Sequence, residues 1–254
     1  MQFGISILSL IPIRELPSDK SEMTTQLIFG EHYKILERRK KWSRIKIAHD
    51  KYTGWISNNQ IYLIDKEEYD KLEKEVATLT TDILDIIEGT SKQPIVIGSV
   101  LPTYKSDHAL IKNKMYKFLG KKTQGFSEKK HLVNNALIFI NAPYLWGGRT
   151  PFGIDCSGFT QIVYRLQGIN IPRDAYQQAE VGNTLSFIEE SEEGDLAFFD
   201  DSEGKITHVG IIMNNNNIIH ASGKVRIDKL DQQGIFNIEK KIHTHKLRII
   251  KSIV

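Results

Sequence analysis

The second half of the chain places its helical patterns before its strand patterns. Residues 127–140, SEKKHLVNNALIFI, predict one helix, and the apolar positions after Cys156 predict a second one: Phe159, Ile162, Val163 and Leu166. Strand-like segments then follow, namely GDLAFFD, HVGIIM, NIIHAS, KVRIDKL and KLRIIKSIV. Helices that precede a run of strands, rather than alternating with them, predict an α+β domain with an antiparallel sheet over residues 128–254.

Short strand patterns divided by turn residues fill residues 1–66. The segment QLIFGEHYKILER is interrupted at Gly30, WSRIKIAHD alternates apolar and polar residues, and KYTGWIS contains Gly54. Several short strands joined by tight turns predict a small β-barrel.

The middle segment, residues 67–127, has a mixed pattern. From 67 to 90, apolar residues recur at spacings of three and four and predict a helix that ends at Gly89; they are Tyr69, Leu72, Val76, Leu79 and Ile83. The later segments PIVIGSVLPTY and KMYKFLGKK predict short strands. We therefore expect a helical linker followed by a second, reduced barrel.

Composition narrows the classes of protein to which the chain can belong. With 254 residues, of which 40% are hydrophobic and 26% charged, it has the composition of a globular protein. The net charge of +3 is small and the basic cluster ERRKKWSRIK lies in a strand pattern, so we expect no nucleic-acid partner.

The chain shows no membrane or export signal. No apolar run approaches the length of a membrane-spanning helix, and the first residues lack the basic start and the cleavage site of a signal peptide. We expect a monomeric cytoplasmic protein without a membrane partner, or a periplasmic protein if a leader has been removed.

Cys156 is the only cysteine, which excludes an internal disulfide and a cysteine-cluster zinc site. It follows a glycine-rich loop and opens a predicted helix. The positive end of a helix dipole lowers a thiol pKa, and the free backbone N–H groups there can bind an oxyanion.

Two histidines accompany this cysteine. His208 begins one predicted strand and His220 ends the next, and a hairpin turn over 214–217 places them roughly opposite each other. A lone cysteine is usually a core residue, and a strand-end histidine is usually a surface group. In combination, however, the three residues predict a nucleophile, its base and a group that orients the base.

Five motifs occur in order in the second half of the chain: YLWGG, DCSGF, GDLAFF, HVGII and IIHAS. Together they resemble the NlpC family of bacterial cell-wall cysteine peptidases. The resemblance implies a papain-like cysteine peptidase domain without metal or cofactor. In such a domain Cys156 is the nucleophile, His208 the base and His220 the orienting residue. It also implies that the Tyr144 hydroxyl assists the oxyanion, and aromatic packing is the alternative role of Tyr144.

The first 66 residues resemble a bacterial SH3-like barrel through the segments SEMTTQLIFGE and YTGWIS. Such a barrel before an NlpC domain is similar to the layout of the γ-D-glutamyl-diamino acid endopeptidases. The resemblance implies a murein-derived peptide with a free N-terminal L-Ala, cut after γ-D-Glu. Both meso-diaminopimelate and L-Lys remain open as the diamino acid. The alternative is a non-catalytic module that binds cell-wall peptides on the same scaffold.

Three residues are predicted to recognise the free ammonium group of the substrate. The resemblance assigns this role to Asp155, and Glu22 and Tyr52 are the candidates from the barrel. A carboxylate placed against the ammonium would reject longer peptides, which have no charged amine at that position. The alternative role of Asp155 is to cap the helix, and that of Glu22 is a solvated loop residue.

Three other residues are predicted to bind elsewhere on the substrate. Ser157 and Arg173 are expected at the α-carboxylate of D-Glu, and Trp146 is expected along the groove, with core packing as its alternative. The family often has a serine where Ala175 stands, and this difference bears on the carboxylate contacts.

The segment HTH at residues 243–245 has the spacing of a metal-binding histidine pair. No cysteine lies near it in the sequence, so we expect no metal site and a strand surface instead.

Overall fold

Antiparallel strands form the first sheet of the protein. The computed structural model describes residues 1–253, which divide into two units, Met1–Phe126 and the chain from Ser127 onward. The strands of the first sheet are β1 (Gln2–Ile5), β2 (Leu10–Arg14), β3 (Met23–Ile28), β4 (His32–Arg38), β5 (Trp42–Ile47), β6 (Thr53–Ser57) and β7 (Tyr62–Ile64). Their order is β3-β2-β6-β5-β4-β1-β7. Alternate side chains point inward and form a buried core of Ile11, Ile13, Leu27, Tyr33, Ile35, Ile45, Ile47 and Ile56.

The helix predicted over 67–90 is wrong beyond Lys74. Helix α1 (Lys66–Lys74) begins after Asp65, whose side chain accepts a hydrogen bond from the N–H of Glu68 at 2.8 Å. The chain then forms the strands β8 (Thr78–Thr80), β9 (Leu84–Glu88), β10 (Lys92–Val96), β11 (His108–Ile111), β12 (Lys114–Lys117) and β13 (Lys122–Gln124). The segment TLTTDILDII is rich in β-branched residues, which favour strands over helices. Val76 and Ile83, which the helical pattern would bury, are exposed.

The second sheet of the first unit has the order β10-β9-β12-β11, and β8 pairs separately with β13. The strands predicted in PIVIGSVLPTY and KMYKFLGKK are confirmed at β10 and β12. Ile87, Ile95 and Phe118 of this region are buried in one cluster with Phe3 and Phe29. The two sheets of the first unit therefore share a core.

The second unit begins with its helices and two short strand pairs. They are α2 (Leu132–Leu137), β14 (Arg149–Thr150), β15 (Gly153–Ile154), α3 (Cys156–Leu166), α4 (Ala175–Gln178) and β16 (Asn183–Leu185). Helix α2 is shorter than the predicted 127–140, because a 3-10 turn precedes it and Asn141, with φ of 66°, turns the chain before Pro143. Within residues 1–253, every helix is too short or too polar to cross a membrane.

An antiparallel sheet completes the second unit. Its main strands are β17 (Leu196–Asp200), β18 (Ile206–Met213), β19 (Asn217–Ser222), β20 (Lys224–Asp231), β21 (Gly234–Asn237) and β22 (Ile242–Ser252). The order is β16-β22-β17-β18-β19-β20-β21. Because β21 also pairs with β22, the strands β17 to β22 form a closed sheet. The predicted order, helices before an antiparallel sheet, is confirmed.

Two local features position the residues of the site. Every residue of α3 is buried, and the helix begins after its N-cap Asp155. The hairpin between β18 and β19 turns through Asn215 and Asn216, whose φ angles are 59° and 54°. Asparagine tolerates this left-handed conformation, which hairpin turns of this kind require at both central residues. The hairpin predicted over 214–217 is confirmed.

Candidate active site

The thiol of Cys156 lies at the start of α3, against the strand that carries His208. Its Sγ atom is 4.0 Å from the carbonyl oxygen of Thr207 and accepts a hydrogen bond from the backbone N–H of Val209. Thr207 and Val209 flank His208 in β18. Helix α3 and strand β18 therefore bring the thiol and this histidine into one site.

Burial raises the pKa of the Cys156 thiol to about 12, and the carboxylate of Asp155 also raises it. The backbone N–H groups of Val209 and Ser157 and the guanidinium of Arg173 act in the opposite direction. The expectation that the helix start lowers this pKa is wrong, because the loss of water around the sulfur outweighs these donors. The resting group is thus a thiol, and a base must take its proton as the sulfur attacks.

His208 and His220 are hydrogen-bonded to each other across the β18–β19 hairpin. The Nε2 atom of His208 lies 2.8 Å from Nδ1 of His220. Directly across from His220 is Gly210, so the histidines are offset by two residues on one face of the sheet rather than opposite each other. A Cβ atom on Gly210 would lie 2.9 Å from Cβ of His220 and 2.7 Å from Cδ1 of Ile218. The glycine therefore leaves the space that the His220 side chain needs.

Sequence reasoning missed Asp228, a buried carboxylate of β20 behind His220. Its Oδ2 atom lies 3.1 Å from Nε2 of His220. Arg226 donates to Oδ2 from Nε at 2.7 Å and to Oδ1 from Nη2 at 3.0 Å, and the N–H of Ile238 donates to Oδ1 at 3.1 Å. Burial tends to raise the pKa of Asp228, but these hydrogen bonds outweigh it and lower the pKa to about 2. The signal in the sequence is the oppositely charged pair Arg226 and Asp228 in KVRIDKL. These residues are two positions apart on the strand that pairs with the strand of His220.

The ring of His245 stacks on the ring of His208. The two ring centroids are 4.2 Å apart and the planes differ by 25°. Burial, together with the nearby His220, lowers the pKa of His245 to about 4, and Asp228 acts in the opposite direction. A neutral ring therefore covers one face of His208 at neutral pH.

The expectation of a strand surface at HTH is wrong for His245. His243 is partly exposed, and its Nε2 lies 2.8 Å from Oδ2 of Asp231. The pairing of β21 with β22 shifts register between these histidines, because Ile235 pairs with His245 and Phe236 pairs with His243. This β-bulge interrupts the regular alternation of side chains, which a sequence pattern assumes. Among residues 1–253, no group of three or more His, Cys, Asp or Glu side chains is arranged to hold a metal ion.

We expect the free energy of unfolding to fall as the pH is lowered from 7 to about 4.5. Burial lowers the pKa of His208, His220 and His245 below 6.5, so over this range the unfolded chain binds protons that the folded protein does not. His245→Phe keeps a ring but removes one titrating group, and its loss should be smaller than that of the wild type by about 1–2 kcal/mol. Urea unfolding at both pH values measures this difference, and equal losses in the two proteins would contradict it.

A buried ion pair lies beside the thiol. Arg173 donates to Asp155 from both ends of its guanidinium, Nη1 to Oδ1 at 3.0 Å and Nη2 to Oδ2 at 2.6 Å. Nη1 also donates to Oγ of Ser157 at 2.9 Å, and Oδ2 of Asp155 accepts from the N–H of Gly147 at 2.8 Å. The structure therefore brings together three of the residues predicted to bind substrate, Asp155, Ser157 and Arg173. Asp155 is at the same time the N-cap of α3.

Tyr144 and Trp146 lie in the loop before β14. Burial raises the pKa of Tyr144 to about 12, and the neighbouring Cys156 and Asp155 also raise it. The phenol therefore stays protonated near the thiol and is able to donate a hydrogen bond. Trp146 is 60% exposed, which is not the position of a core residue.

The remaining predicted residues are distributed over both units. Glu22 is exposed and directly precedes β3, and Tyr52 is half-buried before β6, where it packs against the barrel core. Both belong to the first unit. Ala175 is buried as the first residue of α4 in the second unit.

Comparison with known proteins agrees with this fold. Residues 141–242 match the NlpC/P60 family, and residues 13–61 match the bacterial dipeptidyl-peptidase Sh3 domain. The gamma-D-glutamyl-L-lysine dipeptidyl-peptidase of Bacillus cereus is 26% identical over 80% of this chain and 68% of its own length. Dipeptidyl-peptidase 6 of Lysinibacillus sphaericus is 25% identical over 85% of this chain and 88% of its own. The crystal structure of an NlpC/P60 family protein from Bacillus cereus ATCC 10987 superposes with a TM-score of 0.84 at 22% identity, covering 99% of both chains.

The chain is a cysteine peptidase, a hydrolase that acts on peptide bonds. It carries an NlpC/P60 domain in its second unit and a bacterial dipeptidyl-peptidase Sh3 domain in its first. The resemblance to the NlpC family that the five motifs indicated is confirmed.

Proposed function

We propose that the protein cleaves the bond between γ-D-Glu and the diamino acid of murein peptides that carry a free N-terminal L-Ala, and so releases L-Ala-γ-D-Glu. The observation that carries this proposal is the thiol of Cys156 beside β18, where His208 is hydrogen-bonded to His220. The choice of bond is supported by the relatives named gamma-D-glutamyl-L-lysine dipeptidyl-peptidase. Helices followed by a sheet, with the nucleophile on α3 and the base on β18, fit the papain-like arrangement.

The reaction proceeds by acyl transfer through a thioester. His208 takes the proton of the Cys156 thiol, and the sulfur attacks the γ-carbonyl carbon of D-Glu. The carbon–nitrogen bond then breaks, and His208 returns the proton to the departing amine of the diamino acid. Water, deprotonated by His208, next attacks the thioester and releases the dipeptide as a carboxylate. The net reaction consumes one water and regenerates the thiol.

The negative charge of the tetrahedral intermediate needs donors near Cys156. Backbone N–H groups at the start of a helix point outward and have no partner within the helix, so the first turn of α3 supplies such donors. Tyr144 adds a hydroxyl that burial keeps protonated. Burial of the thiol makes this stabilisation more important, because charge that develops in a dry site is costly without a partner.

Substrate recognition begins at the Asp155–Arg173 pair. We assign Ser157 and Arg173 to the D-Glu carboxylate and Asp155 to the ammonium of L-Ala. Because Asp155 and Arg173 neutralise each other, their combined attraction for a distant charge is small. Trp146, which is 60% exposed, adds contact surface, and the roles predicted for Glu22 and Tyr52 of the first unit stay predictions.

Hydrolysis of a defined tripeptide tests this function. We expect the purified protein to release L-Ala-γ-D-Glu from L-Ala-γ-D-Glu-L-Lys or from the meso-diaminopimelate peptide, as measured by mass spectrometry. The matched control is the same peptide with an acetylated N-terminus. It should be cut at least about 30-fold more slowly, because acetylation removes the positive charge that the protein's carboxylate binds. A folded sample that cuts neither free-amine peptide would overturn the proposal.

A further inference from the structure

Asp228 is the last member of a line of polar groups that begins at His208, on the strand that the thiol contacts. Nε2 of His208 contacts Nδ1 of His220 at 2.8 Å, and Nε2 of His220 contacts Oδ2 of Asp228 at 3.1 Å. The side chain of Asp228 is fully buried, and that of His220 is 1% exposed. The line is therefore shielded from water, and each proton in it must be placed by its neighbours.

The carboxyl of Asp228 is an acceptor at both oxygens. Oδ1 accepts from Nη2 of Arg226 and from the N–H of Ile238, and Oδ2 accepts from Nε of Arg226. None of these partners can accept a hydrogen bond, so the carboxyl group carries no proton. The Nε2 atom of His220 must then be the donor in the contact with Oδ2.

A neutral imidazole carries a proton on only one of its nitrogens. If Nε2 of His220 is protonated, Nδ1 of His220 is an acceptor, and Nε2 of His208 must donate to it. His208 is then left with its lone pair on Nδ1, which is the nitrogen that can take the proton of the thiol. The opposite tautomers would place an N–H on Nδ1 of His208 and would block that transfer.

We propose that Asp228 is a positioning residue that fixes the tautomers of His220 and His208 and leaves Nδ1 of His208 ready to accept a proton. This inference rests on the proposed function of Cys156 and His208. Asp228 also favours the state in which His208 has become positive. Arg226 is shared with Glu239, whose Oε2 accepts from Nη1 at 3.0 Å, so the three side chains together keep a charge of −1.

The tautomers are measurable without an activity assay. Long-range ¹H–¹⁵N spectra of the ¹⁵N-labelled full chain at neutral pH distinguish the two nitrogens of each imidazole. We expect the wild-type protein to show protonated Nε2 at both His208 and His220. A wild-type spectrum with a protonated Nδ1 on either ring would overturn the proposal, whether or not the protein cuts the tripeptide.

The variant Asp228→Asn tests whether Asp228 determines the tautomers of His220 and His208. Oδ1 meets two donors that cannot become acceptors, and Oδ2 meets one, Nε of Arg226, so the amide oxygen should take the Oδ1 position and the NH₂ group should face His220, with Nε of Arg226 losing its acceptor. His220 should then carry its proton on Nδ1. We expect this spectral change together with a fall in kcat of about 10²–10⁴-fold and a KM that stays within about threefold. Unchanged tautomers and kcat in a folded D228N would refute the proposal, and if D228N does not fold, the wild-type spectrum still decides.

The matched control is Asp231→Asn, the same change on the same strand. Asp231 contacts His243 at the partly exposed surface and has no part in the line behind the thiol. We expect D231N to keep the wild-type tautomers and a kcat within about twofold. Should the wild type show the expected tautomers but no hydrolysis, the proposed function fails while the placement of the protons by Asp228 stands.

Discussion

We expect Cys156→Ser to lower kcat for the free-amine tripeptide by about 10⁴-fold or more. A hydroxyl holds its proton far more tightly than a thiol, and the thiol of Cys156 already has a pKa raised to about 12 by burial. The hydroxyl in the same dry position would need a stronger base than a neutral His208 can provide. The assay is dipeptide release, with circular dichroism to show that the variant is folded.

Thr160→Ser is the matched control for this variant. Thr160 lies one turn further along α3, and its hydroxyl donates to Oε1 of Gln178 at 2.7 Å, a bond that serine can also make. The control removes one buried methyl group from the same helix but leaves the nucleophile intact, so its activity should stay within a few-fold of the wild type. Activity of C156S within tenfold of the wild type would show that Cys156 is not the nucleophile.

The parts of the site that follow from local sequence could be predicted. Glycines before Asp155 and an apolar face after Cys156 identify the start of α3, because capping and periodicity act within a few residues. The asparagines at 214–217 identify the hairpin for the same reason, since the left-handed φ angles of Asn215 and Asn216 are a local property. These two local features predict that Cys156 lies at the start of a helix and that His208 and His220 lie on the two strands of one hairpin.

The parts that depend on strand pairing could not be predicted. Asp228 meets His220 because β19 pairs with β20 in one register, and no local pattern sets that register. His245 reaches His208 through the β-bulge in the pairing of β22, which breaks the alternation that a strand pattern assumes. The prediction of a helix beyond Lys74 was wrong because β-branched residues at helical spacing also favour strands. Such a strand is stabilised by a partner distant in sequence, as β8 is by β13.

The thiol pKa shows how packing overrides a local rule. The start of a helix lowers a thiol pKa through its dipole, and that effect is visible as the contribution of the Ser157 N–H at Cys156. Burial and the charge of Asp155 are larger and depend on how the whole unit packs around the sulfur. A base that is held in the correct tautomer therefore matters more to this site than a thiolate formed in advance.

The largest effect on stability is expected at the buried pair beside the thiol. Arg173→Met should lower the free energy of unfolding of the second unit by about 3–5 kcal/mol, because it leaves the carboxylate of Asp155 buried without its bidentate partner. The N–H groups of Gly147 and Gly158 would still donate to it, but they carry no full charge. Urea unfolding followed by tryptophan fluorescence reports on this unit when Trp42 and Trp55 of the first unit are replaced by phenylalanine in all the proteins compared, which leaves Trp146.

Two further variants separate the charge effect from the loss of packing. Lys205→Met removes an exposed partner of Glu203 in the same unit, and its cost should stay below about 1 kcal/mol. The double variant Arg173→Met with Asp155→Asn removes the stranded charge and keeps an acceptor for the helix cap, so it should recover part of the loss. If R173M unfolds at the same urea concentration as the wild type, the carboxylate of Asp155 does not depend on Arg173, and their ion pair is not what stabilises this end of α3.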